Sequence, residues 1–159
     1  MSSSTDVRID PVMSAEDALE RLECIDLGMV RRKLADPEEG QGWSAEHLDL
    51  AEREYRRFLA LHLMYPETAV VPCGFVDEVW HAHILDTQAY GPDCQAAFGF
   101  FLHHFPYFGM RDEQDATDLR TAYDETLERY ERAFGEPASV AWTGMAAKCR
   151  TKCKPMKCK

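Results

Sequence analysis

The sequence has no long apolar run. None approaches the ~18 residues from which a membrane-spanning helix is built, and the N-terminal stretch MSSSTDVRIDP lacks the apolar segment of a secretory signal. Glycine is scarce, with nine in 159 residues, and we find neither internal repeats nor a glycine-rich phosphate-binding loop. These absences argue against membrane insertion and secretion, and they predict a cytoplasmic protein whose six cysteines are mostly thiols.

Basic side chains are few before residue 148. Residues 1–147 contain 12 Lys and Arg against 28 Asp and Glu, a net charge of −16, whereas residues 148–159 contain six basic side chains and no acid. An acidic body repels phosphate, which argues against nucleic acid as a partner. The basic end can bind an anionic partner or fold back on the acidic body.

Strand-like runs are short as well. Ala69-Val70-Val71-Pro72 is too short for a strand and is interpreted as a linker, while apolar residues elsewhere recur at helical spacing. The predicted helices run from Ser14 to Asp36, from Ser44 to Pro66, from about Gly74 to Tyr90, from about Pro92 to His104, and from Glu113 to Phe134. We predict an all-α, single-domain bundle of about five helices with a disordered C-terminal tail. The predicted division is a flexible N-terminus (1–13), a helical domain (14–137) and a basic Cys-rich tail (138–159).

Four of the six histidines lie between Phe75 and Phe108. Asp77 and His81 are four residues apart, which on a helix brings a carboxylate next to an imidazole. An antiparallel hairpin turning near Gly91 would place His81 and His103 at similar heights, ~15 and ~18 Å from the turn. The candidate site therefore comprises Asp77, one of His81 and His83, and one of His103 and His104, and the sequence does not choose within each pair. His62, a lone histidine, is more typical of packing than of metal ligation.

Imidazoles combined with a carboxylate are typical ligands of Zn, Fe, Ni or Cu. We expect a transition-metal ion (Zn, Fe or Cu) bound by members of the set Asp77, His81, His83, His103 and His104. The same groups also suit a buried hydrogen-bond network or an acid–base pair without a metal.

The C-terminal sequence KCRTKCKPMKCK spaces Cys149, Cys153 and Cys158 as C-x3-C-x4-C. This spacing differs from the C-x2-C of zinc knuckles, but the neighbouring Lys and Arg favour thiolates, which bind soft metals. The tail therefore suits transient binding of Cu(I) or Zn. It is equally consistent with a solubilising end, or with a substrate whose cysteines are modified by another enzyme.

The stretch Asp77-Glu78-Val79-Trp80-His81-Ala82-His83, followed by Tyr90, Asp93-Cys94, Gly99 and His103, resembles the shared core of the glycine-rich domain-containing protein family of plants and its short bacterial relatives. The resemblance covers about residues 59–108, and the chain has no glycine-rich segment. It implies no established reaction. It marks these positions as defining for the family: Asp77, Trp80, His81, His83, Tyr90, Asp93 and Cys94.

Together these features predict a protein that binds or handles a transition metal, with a His/Asp centre between the third and fourth helices and soft ligands in the tail. One alternative is a metal-dependent oxidase or hydrolase that uses the same centre. Another is a non-enzymatic carrier whose Cys tail is modified by a partner enzyme. The expected partner is a metal donor or a modifying enzyme that acts through the tail.

Overall fold

The computed structural model describes residues 8–143, and this part of the chain is helical, with no β-strand. It contains six α-helices of seven or more residues, a short 3-10 helix at Leu22–Cys24 and a final four-residue helix. The helices are α1 (Ala15–Arg21), α2 (Gly28–Ala35), α3 (Ala45–Met64), α4 (Gly74–Leu85), α5 (Thr87–Phe98), α6 (Glu113–Phe134) and α7 (Val140–Thr143). The all-α prediction is confirmed, with one more full helix than the five predicted. Within the described residues, no helix combines the length and apolarity needed to cross a membrane.

Two predicted helix starts coincide with serine caps. The Ser14 hydroxyl accepts a hydrogen bond from the Asp17 backbone N–H at 3.1 Å, and the Ser44 hydroxyl accepts one from the His47 N–H at 3.2 Å. Each bond satisfies a backbone donor that the first turn of a helix otherwise leaves unpaired. Helix α3 accordingly begins where it was predicted to begin, and α6, which the Asp112 side chain caps, also runs close to its predicted bounds.

The first predicted helix is divided. α1 ends at Arg21, the 3-10 helix follows, and Ile25 is extended before α2 begins at Gly28. The Asp26 carboxylate accepts a hydrogen bond from the Gly28 N–H at 2.8 Å. This bond caps the start of α2, whose helical register differs from that of α1. Met29, which an uninterrupted helix would place on the same face as Ala18, Leu22 and Ile25, is consequently 66% exposed.

The hairpin predicted around Gly91 is wrong. α4 already ends at Leu85, the Asp86 carbonyl accepts hydrogen bonds from the N–H groups of Ala89 and Tyr90, and α5 continues through Gly91 and Pro92. α5 ends at Phe98 because Gly99 adopts a left-handed conformation (φ 79°) that closes the helix. Residues 99–112 are therefore a loop, which places both His103 and His104 outside any helix.

α3 is the central element of the bundle and packs against α1, α2, α4 and α6. Its Glu54 is fully buried and accepts hydrogen bonds from the Tyr130 hydroxyl and the Trp142 indole N–H, both at 2.8 Å. Trp142 is also fully buried, although it belongs to the segment 138–159 predicted as tail. The ordered body therefore extends to α7.

Candidate metal centre

Three donor groups converge beside the middle of α4. The Nε2 atom of His104 lies 2.9 Å from one Asp77 oxygen, and the Nε2 atom of His81 lies 3.4 Å from the other. The two Nε2 atoms are 3.0 Å apart. Tetrahedral ligands at about 2.0–2.1 Å from a zinc ion are themselves separated by ~3.3 Å, so this spacing is close to that of a coordination shell.

Burial strengthens any charge interaction in this cluster. The Asp77 side chain is 1% exposed, whereas those of His81 and His104 are 22% and 12% exposed. A carboxylate withdrawn from water in this way requires close polar or cationic partners. Asp77 and His81 receive their placement from the helix, because residues four apart lie one above the other on one face.

Hydrogen bonds hold the loop 99–112 at both ends, and they position His104. On one side the Tyr90 hydroxyl accepts a hydrogen bond from the Trp80 indole at 3.0 Å and donates one to the Leu102 carbonyl. The Trp80 ring also packs against the His104 imidazole, with centroids 4.4 Å apart. The ring of His104 is therefore held by α4 and α5 even though its backbone is irregular.

At the other end of the loop, the Asp115 carboxylate accepts hydrogen bonds from the backbone N–H groups of Gly109 (2.7 Å) and Arg111 (3.2 Å). The Arg111 guanidinium lowers the pKa of Asp115 to about 2, so the carboxylate stays ionised at neutral pH. Gly109 is required here because it has a φ of 85° and because a Cβ at this position would lie 2.4 Å from the Leu119 side chain.

His83 belongs to a different cluster, on the face of α4 away from His81. Its Nδ1 is 2.8 Å from the Tyr55 hydroxyl and its Nε2 is 2.8 Å from the Asp93 carboxylate. In the neutral ring Nε2–H donates to Asp93, and Nδ1 accepts from Tyr55. Burial raises the pKa of Tyr55 well above its ordinary value. His83 is 2% exposed, and both of its nitrogens are engaged, so the geometry is that of a closed structural network.

The remaining candidates are placed apart from the three converging groups. His103 is exposed, and its ring packs on Phe101 with centroids 4.8 Å apart. Cys94 is buried in α5. Cys149, Cys153 and Cys158 lie outside the described residues.

A cavity of about 200 Å³ adjoins the centre. Asp77, Trp80 and His104 line it from one side, and the chain 68–72, Leu119 and the loop aromatics complete it. His62 also lines this cavity, and its buried Nε2 atom has no hydrogen-bond partner among the described residues. From the sequence, His62 is interpreted as a packing residue, because the residues that line the cavity with it come from distant segments and form no local pattern.

A protein-family model, UCP032817-like, matches residues 28–132. This range contains α4, the loop 99–112 and most of α6, and so includes the whole centre. The chain belongs to the UCP032817-like family. No curated protein and no solved structure shows significant similarity to it.

The resemblance to the glycine-rich domain-containing protein family is therefore wrong. The matching family is UCP032817-like, and no glycine-rich domain family is indicated. The residues that suggested it have a packing explanation in this UCP032817-like chain. The Trp80 indole donates a hydrogen bond to the Tyr90 hydroxyl and His83 pairs with Asp93, so these side chains connect α4 to α5.

The two clusters of this UCP032817-like protein should separate in a mutational test. Asp93→Ala leaves the buried His83 Nε2–H without its acceptor and is expected to lower the free energy of unfolding by about 1–3 kcal/mol. Metal affinity should stay within about twofold, because Asp93 contacts none of the three converging groups. Urea unfolding and metal titration measure the two quantities. Gln88→Ala, at an exposed position of α5, is the control, and a large loss of metal affinity in Asp93→Ala would contradict this separation.

Proposed function

We propose that this protein binds one first-row transition-metal ion between Asp77, His81 and His104. The observation that supports the proposal is the convergence of their donor atoms to within 2.9–3.4 Å in a largely buried position. Two imidazoles and one carboxylate form a ligand set that zinc and non-haem iron sites use. Because Asp77 and His104 also line the cavity, the coordination positions that the protein leaves open would face it.

We further propose that the protein handles the metal ion transiently rather than storing it permanently. α7 packs against α4, so the last described residues before Cys149 lie beside the helix that carries two of the three ligands. Thiolates flanked by Lys and Arg bind soft metal ions and exchange them. In this account Cys149, Cys153 and Cys158 deliver the ion to the centre or receive it from there.

A metal-dependent oxidase or hydrolase is the second candidate. The specific observation in its favour is the cavity of about 200 Å³ on the open side of the centre. A purely structural metal site is normally closed by four protein ligands, whereas a catalytic site keeps a position for water or substrate.

Cobalt(II) titration tests the proposal because its visible absorption reports the ligands and geometry of the ion. The sample is the Cys149→Ser/Cys153→Ser/Cys158→Ser variant, which removes competing thiolates. We expect absorption bands that saturate at one equivalent, and the same result for the control His47→Ala, whose ring packs on Trp43 and Phe75 rather than at the centre. Absence of saturable absorption at one equivalent would refute the centre.

Transfer through the tail is tested separately, with the wild type and the triple Cys→Ser variant compared. The proposal predicts that the affinity of the Asp77, His81 and His104 centre itself is unchanged in the variant, whereas the ion is released more slowly from it to a competing chelator. Equal release rates would leave the centre in place and remove the tail from the account.

A further inference from the structure

The cavity has the dimensions of a site for a small organic molecule. Its volume of about 200 Å³ exceeds that of an engineered protein cavity of about 150 Å³ that binds benzene. Ala69, His103 and Phe105 are exposed and form its mouth, whereas Val71, Leu119 and Trp80 are nearly buried and form its interior. The lining suits a molecule with a compact apolar body.

Polar groups are few in this cavity, and two of its imidazoles contact the same indole. The rings of His62 and His104 both lie against the Trp80 indole, with centroid distances of 6.1 and 4.4 Å. The His62 Nε2 atom is buried and lacks a partner among residues 8–143. Burial lowers the pKa of His62 to about 4, so the ring is neutral at pH 7 and offers Nε2 for one hydrogen bond.

The net charge at the cavity determines whether it favours an anionic or a cationic ligand. Among the described residues that line the cavity, Asp77 is the one acidic side chain, and none is Lys or Arg. A divalent ion next to this carboxylate leaves a net charge of +1 in an apolar setting, which favours a single negative charge on the ligand. Without the ion, Asp77 would instead repel an anion.

We propose that the cavity binds a compact apolar monocarboxylate, with its carboxylate directed to the centre and to His62 and its hydrocarbon body against Val71 and Leu119. This inference rests on the proposed metal centre, which supplies the positive charge. It assigns His62 as a ligand-positioning residue that holds the anion without binding the metal.

Benzoate is the probe, with benzamide and acetate as controls. Benzamide keeps the shape without the charge, and acetate keeps the charge without the apolar body. Each is titrated into the cobalt-loaded triple Cys→Ser variant, and binding is followed by the visible spectrum and by calorimetry. We expect benzoate to bind at least tenfold more tightly than either control, and to lose measurable binding once the metal is removed.

The variant His62→Leu should weaken benzoate binding at least tenfold with cobalt affinity unchanged, while His47→Leu, on the same helix, should change neither. If cobalt does not bind, the proposed function fails and this inference fails with it. If cobalt binds but benzoate leaves its spectrum unchanged, or acetate and benzamide bind equally well, the centre stands and the carboxylate site is refuted. Unchanged benzoate affinity in His62→Leu would overturn the role of His62.

Discussion

The double variant His81→Ala/His104→Ala is expected to bind zinc or cobalt at least 100-fold more weakly than the wild type. It removes two of three converging donors, and losing even an outer partner of a metal ligand typically costs 10–100-fold in affinity. The measurement is competition against a chromophoric chelator, performed in the triple Cys→Ser background so that tail thiolates do not mask the loss.

The matched control is His47→Ala/His103→Ala, which removes two exposed imidazoles outside the centre. Its metal affinity should remain within about threefold of the wild type. Benzoate binding to this control is measured in a separate titration, because His103 lines the mouth of the cavity. Asp77→Asn provides an isosteric single change that keeps the packing. Retention of full affinity in the double variant, or an equal loss in the control, would contradict the assignment of ligands.

Glu54→Ala is expected to lower the free energy of unfolding by about 2–4 kcal/mol, because two buried hydrogen-bond donors lose their acceptor. Glu54 is fully buried, and its removal leaves the Tyr130 hydroxyl without this acceptor and the Trp142 N–H without its partner. The Arg53 guanidinium, which contacts the other Glu54 oxygen at 2.9 Å, loses its partner too. Urea unfolding measures the loss, and the fluorescence of Trp142, obtained as the difference from a matched Trp142→Phe variant, reports whether α7 detaches from the core.

Glu54→Gln keeps the shape and one carbonyl acceptor, so it should cost only about 1–2 kcal/mol. Glu46→Ala, at an exposed position of the same helix, should change stability by less than about 0.5 kcal/mol. A Glu54→Ala variant within 1 kcal/mol of the wild type would show that this network does not hold α7 in place.

Local signals predicted part of the fold well. Ser44 and the helical periodicity after it predicted α3, and the same periodicity with the stop at Gly135 predicted α6, because caps and helical periodicity act within a few residues. The Gly91-Pro92 pair led to a wrong prediction, because this pair is typical of a turn but lies within α5. Pro92 cannot donate the helical hydrogen bond to the Gln88 carbonyl, and Gln88 lies at an exposed position of α5.

Only the part of the site whose residues are close in sequence could be predicted. Asp77 and His81 were paired by helical spacing, and the structure keeps them together. His104 joins them through a loop that Tyr90, Trp80 and Asp115 hold in place, and such tertiary contacts leave no periodic signal. For the same reason His83, two residues from His81, points into an unrelated network.

Elemental analysis of the protein, purified without a polyhistidine tag as the triple Cys→Ser variant and reconstituted with zinc, is the most direct test of the centre. The account predicts about one metal ion per chain, falling to near zero in the same protein carrying His81→Ala/His104→Ala. A metal content near zero before that change, or an unchanged content after it, would contradict the central claim. The three groups would then form a hydrogen-bond network, like the one around His83.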